Sequence, residues 1–433
     1  MKKAFVLGLA VLGILGLAGC GKKPDHPVEG QKIQSEDREQ SRTYMEMTDQ
    51  GYYYYSWEDG GFRYKDAATG KDMFLCNKPE CKHDGNGFCV ATNEKYRIST
   101  FCIYSGMIFA AAIEETETQF LHKLLTISLD GSELLEFATY ATVEKSEQQA
   151  IPGYFAAERL LIHRNKAVLP IEWRGQAGLA DSNHYGTAIL DLETKEIVWL
   201  DETPIARENT YISDACAVGD YLYYTKLEKK RTLLYRYHLT EQTTERYSLR
   251  TGFQGVYAVA DENTVVYITS SAESLYVYHL DTGLDEEKVV LERKKAQYLA
   301  GQWFEKEERF TAIGLVFDGT HFFVPEAGRT AKWLDEETGE VVNKTECLMH
   351  IFNRDLEETA CIDLAKELYG RVWDDGQLLY ANRSTFNAVG DELYVKLYPS
   401  PEELWGTCHI FRCKKSDLLA GNPQFTYVYS DVQ

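Results

Sequence analysis

The chain is 433 residues long and carries 67 Asp and Glu against 46 Lys and Arg, a formal charge of −21. Acidity of that size repels phosphate backbones, which excludes nucleic acid as a partner; the charge itself is a solvated surface. With 29 Tyr, 19 Phe and 7 Trp, the composition suits half-buried pleated surfaces and leans towards β structure.

The first element is an export signal. Met1-Lys2-Lys3 precedes fifteen uncharged, mostly apolar residues from Ala4 to Ala18, and then comes Gly19-Cys20. A helix needs about 20 apolar residues to cross a bilayer, so this run is a secretory signal and not a permanent span. The ending Leu17-Ala18-Gly19-Cys20 resembles the bacterial lipobox. That resemblance implies removal of residues 1–19, lipidation of Cys20, and a protein held on the cell membrane facing outside the cytoplasm. Two or more acyl chains, at about 0.8 kcal/mol per buried methylene, anchor stably where one does not. Residues 20–42 are polar and charged, too poor in apolar surface to fold, and are expected to form a disordered tether to a folded domain over 43–433.

In that domain one pattern recurs, a turn with Gly or Asp, an alternating aromatic strand, a loop, and a second alternating strand ending in a polar turn. The clearest copies are Ala217–Thr225 with Leu234–Leu239, and Ala260–Thr269 with Leu275–Gly283. The second strand and its turn recur at Phe62–Gly70, Leu125–Gly131, Ala188–Thr194, His350–Leu356 and His409–Cys413. The first strand recurs at Asp49–Tyr55, Tyr104–Phe109, Asp318–Phe323 and Val389–Val395, with a degenerate copy near Ala157–Ile162. Period-two alternation marks strands, and Asp-x-x-Thr-Gly or Asp-Gly supplies the positive φ of a tight turn. Anchors about 42 to 72 residues apart fit four-stranded blades with variable loops. The predicted fold is all-β, a β-propeller of seven four-stranded blades with six or eight as the neighbouring counts; paired β-sandwiches are the alternative. Asp335–Gly339 reads as a further hairpin turn, in an insertion or in part of an eighth blade, and Trp373–Tyr380 is similar; Leu364–Tyr369 is the one stretch with helical spacing, and the long segments Val168–Tyr185 and Glu326–Asn343 are expected to be surface loops.

Between the first two repeats, a loop over 75–90 holds Cys76, Cys81, His83 and Cys89 in the spacing Cys-x4-Cys-x-His-x5-Cys, with Pro79 inside it. Three thiolates and an imidazole are the ligand set of a closed structural zinc site. Export makes disulfides the competing outcome, Cys76 joining Cys81 or Cys89, with Cys102 as a further partner. Nine cysteines remain once Cys20 is lipidated, so an all-disulfide scheme leaves one over. Cys216, Cys347, Cys361, Cys408 and Cys413 are scattered, and Cys413 falls at a core position of its repeat. His238 and His279 hold equivalent repeat positions, as do His350 and His409, and repeat symmetry accounts for both pairs.

Lipobox, tether, box (Cys76, Pro79, Cys81, His83, Cys89) and aromatic repeats together resemble a family of surface lipoproteins from anaerobic Gram-positive bacteria. Their propeller repeats are of the domain-of-unknown-function type. The resemblance implies fold and location and brings no activity. No phosphate loop, nucleophile elbow, His-Glu-x-x-His or calcium loop occurs. The expected role is a binding module for an extracellular glycan, peptide or partner protein. The alternatives are a propeller enzyme (a glycosidase, with converging carboxylates, or a quinoprotein-like oxidoreductase, from the single repeat ending at Trp199) and an assembly scaffold.

Overall fold

In the computed structural model the described residues are 38–40, 45–48, 50–56, 59–84, 89–145, 160–173, 184–201, 212–271, 273–299, 302–309, 312, 314–325, 329–334, 341–346, 348–364, 367, 380–389, 391–398 and 407–432. The fold is a seven-bladed β-propeller. Seven sheets of four antiparallel strands cover 45–74, 96–144, 161–199, 213–247, 253–290, 316–363 and 380–432, here blades 1 to 7. Each runs outward in chain order, and no blade mixes strands from the two ends of the domain.

Seven apolar cores, one between each pair of neighbouring blades, close the ring. Blade 7 meets blade 1 through Tyr394, Ile410 and Val428 against Met45, Met47, Tyr52 and Tyr54. A strand sandwiched between two blades is buried on both faces, which departs from the half-buried strand expected from alternation. Tyr53 faces blade 2 while Tyr52 and Tyr54 face blade 7. Alternating side chains thus feed two different cores, and this explains the abundance of tyrosine: its ring fills an interface while its hydroxyl reaches a polar edge.

The turns follow the predicted chemistry with substitutions. Gly70 and Gly283 take positive φ and donate their N–H groups to Asp66 and His279, four residues back. Lys195 and Gln242 occupy the same place with φ of +62° and +55° and the same bond. The degenerate copy near Ala157–Ile162 is displaced: the hairpin of blade 3 is Leu161–His163 with Lys166–Trp173, and residues 157–159 lie outside the described ones. Its turn, Arg164-Asn165, has φ of +46° and +61°, a two-residue geometry usually filled by Asn-Gly, so no glycine marks it.

The two long segments are corrected in part. Val168–Trp173 and His184–Tyr185 are paired strand, and 174–183 lies outside the described residues. Within Glu326–Asn343 begins a two-stranded ribbon, Arg329–Leu334 with Val341–Glu346, inserted between the second and third strands of blade 6. The Asp335–Gly339 turn lies outside the described residues, but its flanks show an insertion and not an eighth blade. A second ribbon, Glu292–Leu299 with Gln302–Arg309, precedes blade 6 and lies beside the first. Residues 373–379 and most of Leu364–Tyr369 lie outside the described residues.

Antiparallel order puts the turns joining strands 1–2 and 3–4 at one end of each blade and the connections 2–3 and 4–1 at the other. On the first face, turns of successive blades touch: the Tyr104 hydroxyl donates to Asn165 Oδ1 at 2.6 Å, His163 Nε2 lies 2.8 Å from the Gly219 carbonyl, and Arg164 pairs with Asp220. Apart from 415–425, which carries helix α1 (Lys415–Leu419), the turns there are short. The long connections and both ribbons belong to the second end.

One strand was not foreseen. Arg38–Gln40, the last part of the segment expected to be a tether, pairs antiparallel with Ser213–Val218, the innermost strand of blade 4. It therefore lies on the channel side of the ring. Arg38 is level with Val218 at the short-turn face and Gln40 with Cys216, deeper in. The rest of 20–42 and the signal, Cys20 included, lie outside the described residues.

Candidate metal centre

The cysteine box leaves the outer strand of blade 1 (Asp72–Phe74), and both of its ends are tied to the neighbouring strand. The Leu75 N–H donates to the Phe62 carbonyl and the Phe62 N–H to the Ala91 carbonyl, each at 2.9 Å. Leu75 is fully buried in the core between blades 1 and 2. Lys78-Pro79-Glu80-Cys81 forms a turn in which the Cys81 N–H donates to the Lys78 carbonyl at 3.1 Å. Pro79 at its second position pre-sets the backbone angle that such a turn needs. His83 adopts φ of +54°, a left-handed backbone that few side chains other than Asn and Asp take readily, and its ring stacks on Phe74 with centroids 4.6 Å apart. Residues 85–88 lie outside the described ones, and the loop returns through Cys89, which is 1% exposed.

These turns bring the four predicted side chains together. One ligand atom from each of Cys76, Cys81, His83 and Cys89 lies within 4.8 Å of every other, and His83 Nδ1 is 3.3 Å from Cys89 Sγ. Tetrahedral zinc, with bonds of about 2.3 Å to sulfur and about 2.0 Å to nitrogen, holds its ligands roughly 3.5–3.8 Å apart. The spread therefore fits a metal after a contraction of at most about 1 Å. A disulfide requires sulfurs about 2.05 Å apart, and no such bond joins the three box cysteines. Cys102 does not reach them: it packs between blades 2 and 3.

The thiols differ in proton affinity. Burial, reinforced by its sulfur neighbours, pushes Cys76 up to about 11. Burial also acts to raise Cys89, but hydrogen bonds with Thr92 and His83 outweigh it and bring the thiol down to about 6. The thiolate is the form that ligates metal. The box is also wedged against blade 2. Asn77 Nδ2 donates to Asp130 at 3.2 Å, and a Cβ on Gly131 (φ +69°) would sit 2.5 Å from the Leu75 carbonyl oxygen. Anything that fixes the box therefore fixes one inter-blade seam.

Of the other sequence-selected residues, Cys413 is buried in the core between blades 6 and 7 as expected, where burial pushes its thiol up to about 12. Trp199 packs half-buried against the core of blades 2 and 3. A second convergence was missed: His350, Glu358 and Cys361 on blade 6 also bring ligand atoms within 4.8 Å of one another. They are spread over two strands, and only strand register unites them.

No family model and no curated protein matches the sequence. Among solved structures, the chain is similar to a 6-phosphogluconolactonase-like protein from Bacteroides uniformis, at 11% identity over 92% of this chain and 99% of that one, TM-score 0.39. It is similar also to the propeller domain of the Trilobed protease of Pyrococcus furiosus (9% identity, 74% and 83% covered, TM-score 0.39). A third likeness is to prolyl oligopeptidase B of Galerina marginata (10% identity, 91% and 52% covered, TM-score 0.45). Likeness of this degree carries nothing about activity.

Proposed function

We propose that this chain is a lipid-anchored extracytoplasmic propeller that displays one face as a binding module for a glycan, peptide or partner protein, with one structural zinc in the Cys76–Cys89 box. The observation that carries it is the pairing of Arg38–Gln40 with the innermost strand of blade 4. Because Arg38 lies at the short-turn face, a lipid on Cys20 draws that face towards the membrane. The opposite end, where the long connections and both ribbons originate, then points away from it. Loops on a rigid scaffold are where recognition concentrates, and this orientation presents them to whatever lies outside.

Zinc in the box contributes structure and no chemistry. Four protein ligands leave no position for a water. The cluster is held to blade 1 by backbone bonds and to blade 2 by the Asn77–Asp130 contact, so it acts as a clasp on that seam.

The orientation is tested with the lipidated mature protein on vesicles containing a headgroup quencher. A fluorophore on Glu262→Cys, in the 1–2 turn of blade 5, should be quenched, and one on Lys230→Cys, in the 2–3 turn of blade 4, should stay bright. Equal quenching at both positions refutes the displayed face. Binding is tested with the same mature protein on glycan arrays and in cell-wall pulldowns.

A further inference from the structure

On blade 6 the third strand (Leu348–Asn353) and fourth strand (Glu358–Asp363) pair so that Cys361 lies directly opposite His350. One residue further the register slips: Ala360 faces Ile351, but Glu358 faces Phe352, with Thr359 bulged between them. Without that bulge Thr359 would occupy the face shared with Cys361 and Glu358 would point away; the extra residue turns Glu358 onto the His350 side. The Thr359 hydroxyl steadies the bulge by donating to the Ile351 carbonyl at 3.1 Å.

A relay results. His350 Nδ1 lies 2.6 Å from Glu358 Oε1, and His350 Nε2 lies 3.9 Å from Cys361 Sγ. An ionised carboxylate only accepts, so Nδ1 carries the proton and Nε2 is left as the acceptor facing the thiol. The imidazole is 5% exposed and braced by Phe352, while Cys361 opens to solvent. A fixed base beside an accessible sulfur is the setting in which a thiol becomes a nucleophile.

Bulges of the same kind interrupt the third and fourth strands of blades 2, 5 and 7, two residues further from the turn than in blade 6, and in blade 2 the bulge has another use. Counted from the bulge, Glu136 there corresponds to Glu358, Lys123 to His350 and Thr139 to Cys361, and the result is a Lys123–Glu136 ion pair at 2.6 Å. In blade 7 the register places His409 opposite Ser430. Both the place of the bulge, next to the turn, and the imidazole beside a thiol distinguish blade 6.

We infer that Cys361 is a nucleophilic thiol, positioned by His350 and Glu358, that exchanges with low-molecular-weight disulfides. The Cys361 proton passes to His350 Nε2, and the thiolate attacks one sulfur of RSSR. The Cys361–SR bond forms as the RS–SR bond breaks with its electron pair on RS⁻, and the imidazolium returns the proton to give RSH. The protein thiol is thereby oxidised to a mixed disulfide and one half of the small disulfide is reduced.

The test treats the full chain with oxidised glutathione at neutral pH and follows each cysteine by peptide mass spectrometry. Cys361 should be modified at least ten-fold faster than in the urea-unfolded chain. His350→Asn should remove that advantage. Glu358→Gln, at an exposed position, should lower the rate several-fold with an unchanged melting temperature, which keeps the test valid if the His350 variant folds poorly. A folded-state rate no higher than the unfolded one, or one indifferent to Glu358→Gln, overturns the inference. So does a metal bound at Cys361 that blocks the reaction and is released by His350→Asn.

Discussion

Two clusters of thiol and imidazole sit on one ring and are built in opposite ways. The box on blade 1 is contiguous in sequence and tied at both ends by backbone bonds, with Cys76 and Cys89 at 6% and 1% exposure and Cys81 and His83 half-buried. The group on blade 6 is assembled across two strands, has one buried member, and shows its sulfur to solvent. Four converging donors around a point suit an ion; a thiol facing an imidazole that a carboxylate aligns suits proton transfer. The difference teaches that convergence alone does not define a metal site. What matters is how many lone pairs point at the same spot and whether water is shut out.

The sharpest way to break the comparison is to open the box on blade 1. If the proposed zinc ties that seam, Cys89→Ala, or prolonged chelation of the wild type, should cost more than about 3 kcal/mol. Urea unfolding monitored by tyrosine fluorescence reads it. Cys361→Ala should stay within about 0.5 kcal/mol of wild type in the same assay, as an exposed position away from any core.

His122 supplies a third imidazole, buried against Tyr140 in the core between blades 2 and 3, and burial pushes it down to about 4. Folded chains then stay neutral there while unfolded chains take up a proton near the ordinary histidine value of about 6.5. Its contribution to stability is complete above that value and lost as pH falls through the window down to about 4. The slope is at most about 1.4 kcal/mol per pH unit. His122→Phe should flatten this acid limb in denaturant titrations at stepped pH.

Smaller effects separate the two uses of the bulge. Glu136 is held down to about 2 by hydrogen bonds from Lys123, Lys95 and Tyr96. With 41% of its side chain exposed, Glu136→Gln should cost only about 0.5 kcal/mol. Glu358→Gln should cost less in stability than Glu136→Gln and show its effect on thiol exchange instead. A reversed order would mean that blade 6 uses its carboxylate for support.

Most of the ring was legible in the sequence because each blade repeats one alternating pattern with turn residues at fixed offsets. The exceptions have physical causes. Blade 3 hid its first hairpin because Arg164-Asn165 makes, without glycine, a turn that glycine usually announces. The polar segment ahead of the domain gave no hint of Arg38–Gln40, since a strand that borrows its partner's edge needs no apolar pattern of its own. The box was visible because its ligands lie in one short loop. Cys361, His350 and Glu358 were not, because a one-residue bulge decides which side Glu358 takes, and period-two alternation predicts the wrong one.

The most direct measurement counts metal and reactive thiols on the same sample of folded full chain, purified without reductant. One zinc per chain, with Cys76, Cys81 and Cys89 protected from alkylation while Cys361 reacts, is the predicted result. A metal-free chain whose box cysteines are alkylated or joined in a disulfide, or one in which Cys361 is the protected thiol, would contradict it.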